Sequence, residues 1–123
     1  MILDSGVVIT LLLGGLDPEV LDDELVAPHL IDSEVTHVLR RMVFRGDISE
    51  RQGRMAIDSF MAMVFTRRGV GHLRLRMWEL RHNLIGYDST YVALAEHLGA
   101  VLITTDRKLA KAPGIRCPVR VVG

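Results

Sequence analysis

The sequence predicts an α/β domain with a mainly parallel sheet, and three observations carry that prediction. Short apolar runs alternate along the chain with segments whose apolar residues recur at helical spacing. One run, Val101-Leu102-Ile103-Thr104, is continuous and apolar, as strands buried on both faces are, and Val119 to Val122 reads as a final strand. The chain has 123 residues, 49% of them apolar, with no repeat, low-complexity tract or Pro/Gly/Ser linker, so residues 1–123 read as one domain with a sizeable core.

Taken in order, Ile2-Leu3 is a first short strand ending in Asp4, and Val7 to Leu13 is a helix stopped by Gly14-Gly15. After an acidic stretch, Leu25-Val26-Ala27 leads to Pro28, which suits a first helical turn; Leu30, Ile31, Val35, Val38, Leu39 and Met42 then continue a helix to about Gly46. Asp47 or Ser49 caps the next helix, through Met55, Ile57, Phe60, Met61 and Val64. Thr66 to Gly71 reads as a basic turn region, and Trp78 and Leu80 as part of a further short helix. An amphipathic helix starts at Tyr87-Asp88, runs through Tyr91, Val92, Leu94, Ala95 and Leu98, and stops at Gly99. Asp106 caps a short helix over Arg107 to Ala110, between the two final strands. The six methionines and Trp78 read as core or interface filling.

Fifteen basic and fifteen acidic residues cancel. The layout is nonetheless polar: residues 1–39 hold eight acids and no Lys or Arg, while the remainder carries all the bases, thirteen of them Arg. Arginine's planar fork suits phosphate and carboxylate partners, so an anionic partner is permitted. The lone Cys117 forms no internal disulfide, and Met1-Ile2-Leu3-Asp4 lacks the basic opening of a secretory signal, so a cytoplasmic protein is expected. The longest uncharged run, Ser5 to Leu16, is 12 residues, too short to span a membrane.

Four carboxylates stand at informative positions. Asp4 and Asp106 follow apolar runs, at the strand ends where α/β sheets bind ligands. Glu34 shares its helix face with Leu30, Ile31 and Val38, and Asp88 with Tyr91, Val92 and Ala95. An inward carboxylate needs a cation, a donor or a metal. Asp4, Asp88 and Asp106 also fit a plainer role as helix caps. If the four converge, their repulsion calls for a hard divalent cation, and oxygen-only ligation suits Mg²⁺ or Mn²⁺. That chemistry hydrolyses phosphodiesters, with the Arg-rich remainder holding the backbone.

Ile2-Leu3-Asp4, Glu34 on a helix after Ala27-Pro28, Tyr87-Asp88-Ser89-Thr90-Tyr91-Val92-Ala93-Leu94-Ala95 and Thr104-Thr105-Asp106-Arg107-Lys108-Leu109 together resemble a PIN-domain ribonuclease. More narrowly, they resemble the VapC toxins of VapBC toxin–antitoxin modules, over essentially the whole chain. The resemblance implies a three-layer α/β/α sandwich, a homodimer, Mg²⁺- or Mn²⁺-dependent endonucleolytic cleavage of RNA, and inhibition by a VapB antitoxin. It assigns Asp4, Glu34, Asp88 and Asp106 to an acidic quartet, with Thr104 as the polar residue beside it. The family often has a hydroxyl residue two positions after the first Asp, where this chain has Gly6.

Three other readings compete. The pairs Glu34/His37 and Glu79/His82 match half of a di-iron site, which needs a four-helix bundle. A phospho-receiver would need an acidic pair after the first strand, where Asp4 stands alone. A PIN-like module that binds RNA or protein without cutting keeps the fold and drops the reaction. Arg41 and Arg45 read as solvated or interface arginines, and Arg107 and Lys108 as either phosphate contacts or helix-surface charge.

Overall fold

The computed structural model describes all residues, 1–123. Strand β1 (Ile2–Leu3) leads into helix α1 (Ser5–Leu12), and β2 (Val26–Pro28) into α2 (Leu30–Phe44) and α3 (Glu50–Ala62). Next come β3 (Thr66–Arg68), α4 (Arg74–Glu79) and α5 (Gly86–Leu98), then β4 (Leu102–Thr104), α6 (Arg107–Ala110) and β5 (Val119–Val121). Single 3-10 turns cover Pro18–Val20, Gly71–Leu73 and Leu80–His82.

The five strands form one sheet in the order β3-β2-β1-β4-β5, every neighbouring pair parallel. Parallel crossovers are right-handed, so connections running outward in opposite directions from β1 lay their helices on opposite faces. This puts α1, α2 and α3 on one face and α4, α5 and α6 on the other. The packing follows that division: α1 touches α2 and α3, and α4 touches α5. The result is the three-layer α/β/α sandwich with a parallel sheet.

The core is centred on β1, β4 and α5. Ile2, Leu3, Leu102 and Ile103 are buried, and Ser89 through Ala95 form seven consecutive buried residues on α5. A helix buried almost all round loses the simple apolar stripe of a surface helix, yet its end is marked: Gly99 adopts the left-handed conformation, φ 61°, that closes helices.

Several boundaries differ from the sequence expectation, each for a local reason. Pro28 ends β2 instead of opening a helix, and α2 starts at Leu30 after a His29 cap with no side-chain bond. The β1–β2 ladder is registered at Ile2 and Val26 alone, so on that side no N–H is required of Pro28. Thr66 to Arg68 is an edge strand, not a turn. It lacks an apolar run because edge strands carry charge, and Arg67 grips Asp32 of α2 with two hydrogen bonds of 2.7 Å. Helix α3 is opened by Ser49 with a capping box from Gln52, and ends at Ala62, leaving Val64 outside it and exposed. Trp78 lies on α4, but Leu80 falls in the turn after it. Trp78, Met55 and Met61 are exposed, so core filling is wrong for these three. No helix is long and apolar enough to cross a membrane.

Candidate active site

Chain order places the functional crevice before any side chain is considered. From β1 the chain moves outward through β2 to β3, then returns to the other side of β1 to lay down β4 and β5. The β1/β4 boundary is therefore the topological switch point, where open α/β sheets bind ligands beyond their strand ends. Ile2 and Leu3 stand in register with Leu102 and Ile103, so Asp4 and Thr104 follow side by side.

Asp4 is a helix cap, and it stands at the switch point with its second oxygen turned to Thr104. One carboxylate oxygen, Oδ1, caps α1 by accepting the Val7 N–H at 3.0 Å, and the other, Oδ2, accepts the Thr104 hydroxyl. Thr104 is fully buried and acts as a hub, since its oxygen also accepts the Asp106 N–H at 3.0 Å. Asp106 in turn caps α6 by accepting the Lys108 N–H at 2.8 Å, leaving its exposed carboxylate at the crevice rim. Asp88 is no cap: Ile85 holds that position on α5, and Asp88 sits half-buried in the first turn. Glu34, half-buried on α2, accepts the hydroxyl of Tyr91 from α5. That bond supplies the donor an inward carboxylate needs.

Electrostatics tie the four together. Burial pushes the Asp88 carboxyl up to about 6, reinforced by the charges of Asp4, Asp106 and Glu34. Burial also raises Asp4, with Asp106 adding repulsion and the Thr104 and Val7 hydrogen bonds opposing it. Glu34 is raised by burial and by Asp4, against the Tyr91 bond. Tyr91 itself is driven far above its ordinary value by burial and by Glu34, so it stays a neutral donor. Arg107 and Lys108 are exposed immediately beyond Asp106, and none of the three ion pairs in the protein involves a quartet carboxylate.

The quartet is coupled through charge and is not closed into a tight cage: no three His, Cys, Asp or Glu groups form a ready metal cluster. Its chemistry still fits a hard divalent cation, because every donor is oxygen and the burial that raises these carboxyls is reinforced by their mutual repulsion, with no cation paired to them. Asp4, Glu34, Asp88 and Asp106 are the oxygen donors at this crevice that could hold such an ion.

Sequence reasoning missed Tyr91 as a site residue, reading it as helix-face packing; its position three residues after Asp88, on the same face, was the available signal. Arg41 does approach the site, lining with Glu34, His37 and Tyr87 a cavity of about 460 Å³. At Gly6, a side chain would start 3.0 Å from the Thr105 hydroxyl and 3.5 Å from Asp4 Oδ1, so Thr105 crowds the space where the family's hydroxyl residue would stand. Of the histidines, His72 and His97 meet edge to face with ring centroids 4.7 Å apart, a contact no spacing announced. The di-iron reading falls with the fold, since the helices flank a sheet and build no bundle core.

Comparison with known proteins agrees with this geometry. The profile of the PIN domain matches residues 1–115. The chain is 44% identical over 97 residues to Ribonuclease VapC1 of Mycobacterium tuberculosis, covering 78% of this chain and 73% of that protein. It is 41% identical over 100 residues to VapC ribonuclease Mb0985 of Mycobacterium bovis, covering 81% and 79%, and 34% identical over 96 residues to Ribonuclease VapC12 of M. tuberculosis, covering 78% and 74%. Sheet order, crevice, PIN profile and long-range identity agree: the chain belongs to the PIN-domain family and, within it, to the VapC ribonucleases.

Proposed function

We propose that this protein is a toxin-type endoribonuclease that hydrolyses RNA phosphodiester bonds with Mg²⁺ or Mn²⁺ and is neutralised by a VapB-type antitoxin. The observation that carries the reading is the charge coupling of Asp4, Glu34, Asp88 and Asp106 at the β1/β4 switch point. A bound divalent ion would neutralise that charge and act as a Lewis acid on the phosphate. The chain's own groups do the rest. Thr104 fixes the Asp4 carboxylate from one side while the α1 N-terminus fixes it from the other, so Asp4 presents one orientation. Tyr91 does the same for Glu34. Asp88, half-buried in the first turn of α5 and raised by burial and by the other three carboxylates, is the group that gains most from a neutralising ion. Arg107 and Lys108 beyond Asp106, and Arg41 beside Glu34, supply cations for the RNA backbone.

The protein, freed of any partner, is expected to cut structured RNA with either ion and to stop in EDTA. RNA bound but left intact with Mn²⁺ present would identify a binding module instead. An acidic crevice is a natural target for a basic side chain, so the VapB-type antitoxin is expected to set an Arg or Lys among the four carboxylates. A purified complex whose partner leaves the crevice open would contradict that mode of inhibition. Cytoplasmic action and homodimerisation complete the reading.

A further inference from the structure

A second cavity, of about 530 Å³, lies between α4 and the start of α5, walled by Arg74, Trp78, Arg81, Ile85, Gly86 and Ser89. None of its lining residues is acidic. Neither arginine is in an ion pair: Arg74 donates to the Gly71 carbonyl at 2.8 Å and Arg81 to the Trp78 carbonyl at 2.9 Å. The Arg81 guanidinium lies 4.1 Å from the centre of the Trp78 ring, holding the indole in place, while Trp78 remains 63% exposed. Gly86 and Ser89 bracket Asp88 within the first turn of α5, so this cavity and the acidic centre are built on the same helical turn. On the other side of Asp88, exposed Tyr87 opens onto the cavity that holds Glu34 and Arg41.

We infer that Trp78, with Arg74 and Arg81, is a stacking platform for an unpaired RNA base beside the scissile phosphate. Exposed indole, unpaired guanidinium and absence of carboxylate form the combination that single-stranded nucleic acid takes: the ring accepts a base and the cations track the backbone. The carboxylates need such help, because on their own they repel the polyanion they are to cut. An unpaired base is required, since a base within a duplex shows no free face. The inference rests on the ribonuclease reading and identifies the single-stranded substrate element that it leaves open.

Trp78 is the only tryptophan, so its emission reports this surface alone. The experiment titrates partner-free protein in EDTA, where cleavage is off, with a short single-stranded oligoribonucleotide, and follows Trp78 fluorescence beside the anisotropy of the labelled RNA. Saturable quenching that tracks anisotropy is expected, weakened in Arg74→Gln and Arg81→Gln. Trp78→Ala should bind RNA about tenfold more weakly and raise KM with little change in kcat, and Trp78→Phe should recover most of the affinity. RNA that binds while Trp78 emission stays constant, with Trp78→Ala of wild-type affinity, overturns the platform and leaves the ribonuclease intact. Emission that shifts with protein concentration and is then indifferent to RNA overturns it too, and gives the face to a second copy of the chain. Wild-type protein that neither binds nor cuts RNA removes the ribonuclease reading and this inference with it.

Discussion

At the scale of the residue, the raised carboxyls set a pH dependence whose sign is fixed. Asp88 stands near 6 in the folded chain against an ordinary 3.8, so between those values the native state keeps a proton that the unfolded chain has released. The stability this contributes is fully present below the lower value and lost as pH rises through the upper. Unscreened, the shift corresponds to roughly 3 kcal/mol; solvent around a half-buried carboxyl cuts that to about 1 kcal/mol. Asp32 and Glu96, both held below the usual carboxylate range, act in the opposite sense. For Asp32 the Arg67 hydrogen bond leads; for Glu96, burial works upward and is outweighed by Arg76 and the Arg116 N–H. Comparison within one background isolates the effect: without divalent ions, Asp88→Asn should lose part of the wild-type decline in stability between pH 4 and 6 and melt higher at pH 7. Equal melting profiles across that range would return Asp88 to an ordinary surface acid.

At the scale of the element, packing overrides propensity where α2 meets α3. Gly53 is buried inside α3, and a methyl group there would lie 2.7 Å from Val43 Cγ2 of α2. Alanine improves helix propensity by up to about 1 kcal/mol, but overpacking costs about 1–3 kcal/mol, so Gly53→Ala should lower the melting temperature. A rise would mean that α3 slides away freely. The contrast tells which elements the sequence makes legible. Helices α2, α3 and α5 and strands β1, β4 and β5 follow from spacing, caps and continuous apolar runs. Strand β3 does not, because Thr66-Arg67-Arg68 is polar and owes its strand state to pairing with β2 along its whole length. Nor does the clamp that ties α4, α5 and the C-terminal loop, in which Arg76 meets Glu96 at 2.7 and 3.1 Å and the Gly114 carbonyl at 2.6 Å. Those partners are far apart in sequence, and no local pattern pairs them.

At the scale of the whole molecule, the quartet could be listed from the sequence but not assembled from it. Asp4 and Asp106 were marked by strand ends, and Glu34 and Asp88 by their apolar faces. What joins them is the reversal of strand order beside β1, a property of the complete sheet. The Thr104 hub and the Tyr91–Glu34 bond arise only once that sheet has formed. The central claim is that these four carboxylates work as one ion-requiring nuclease centre, even though two of them also cap helices. Asparagine caps about as well as aspartate, so Asp4→Asn and Asp106→Asn spare the helices and delete the charge. The most direct measurement therefore pairs RNA cleavage in Mn²⁺ with thermal melting in EDTA for wild type and both variants. Both variants should lose cleavage by about a hundredfold or more, with Asp106→Asn melting no lower than wild type and Asp4→Asn keeping the Val7 cap while giving up the acceptor for the Thr104 hydroxyl. Wild-type cleavage by both, or undiminished wild-type cleavage in EDTA, would contradict the account.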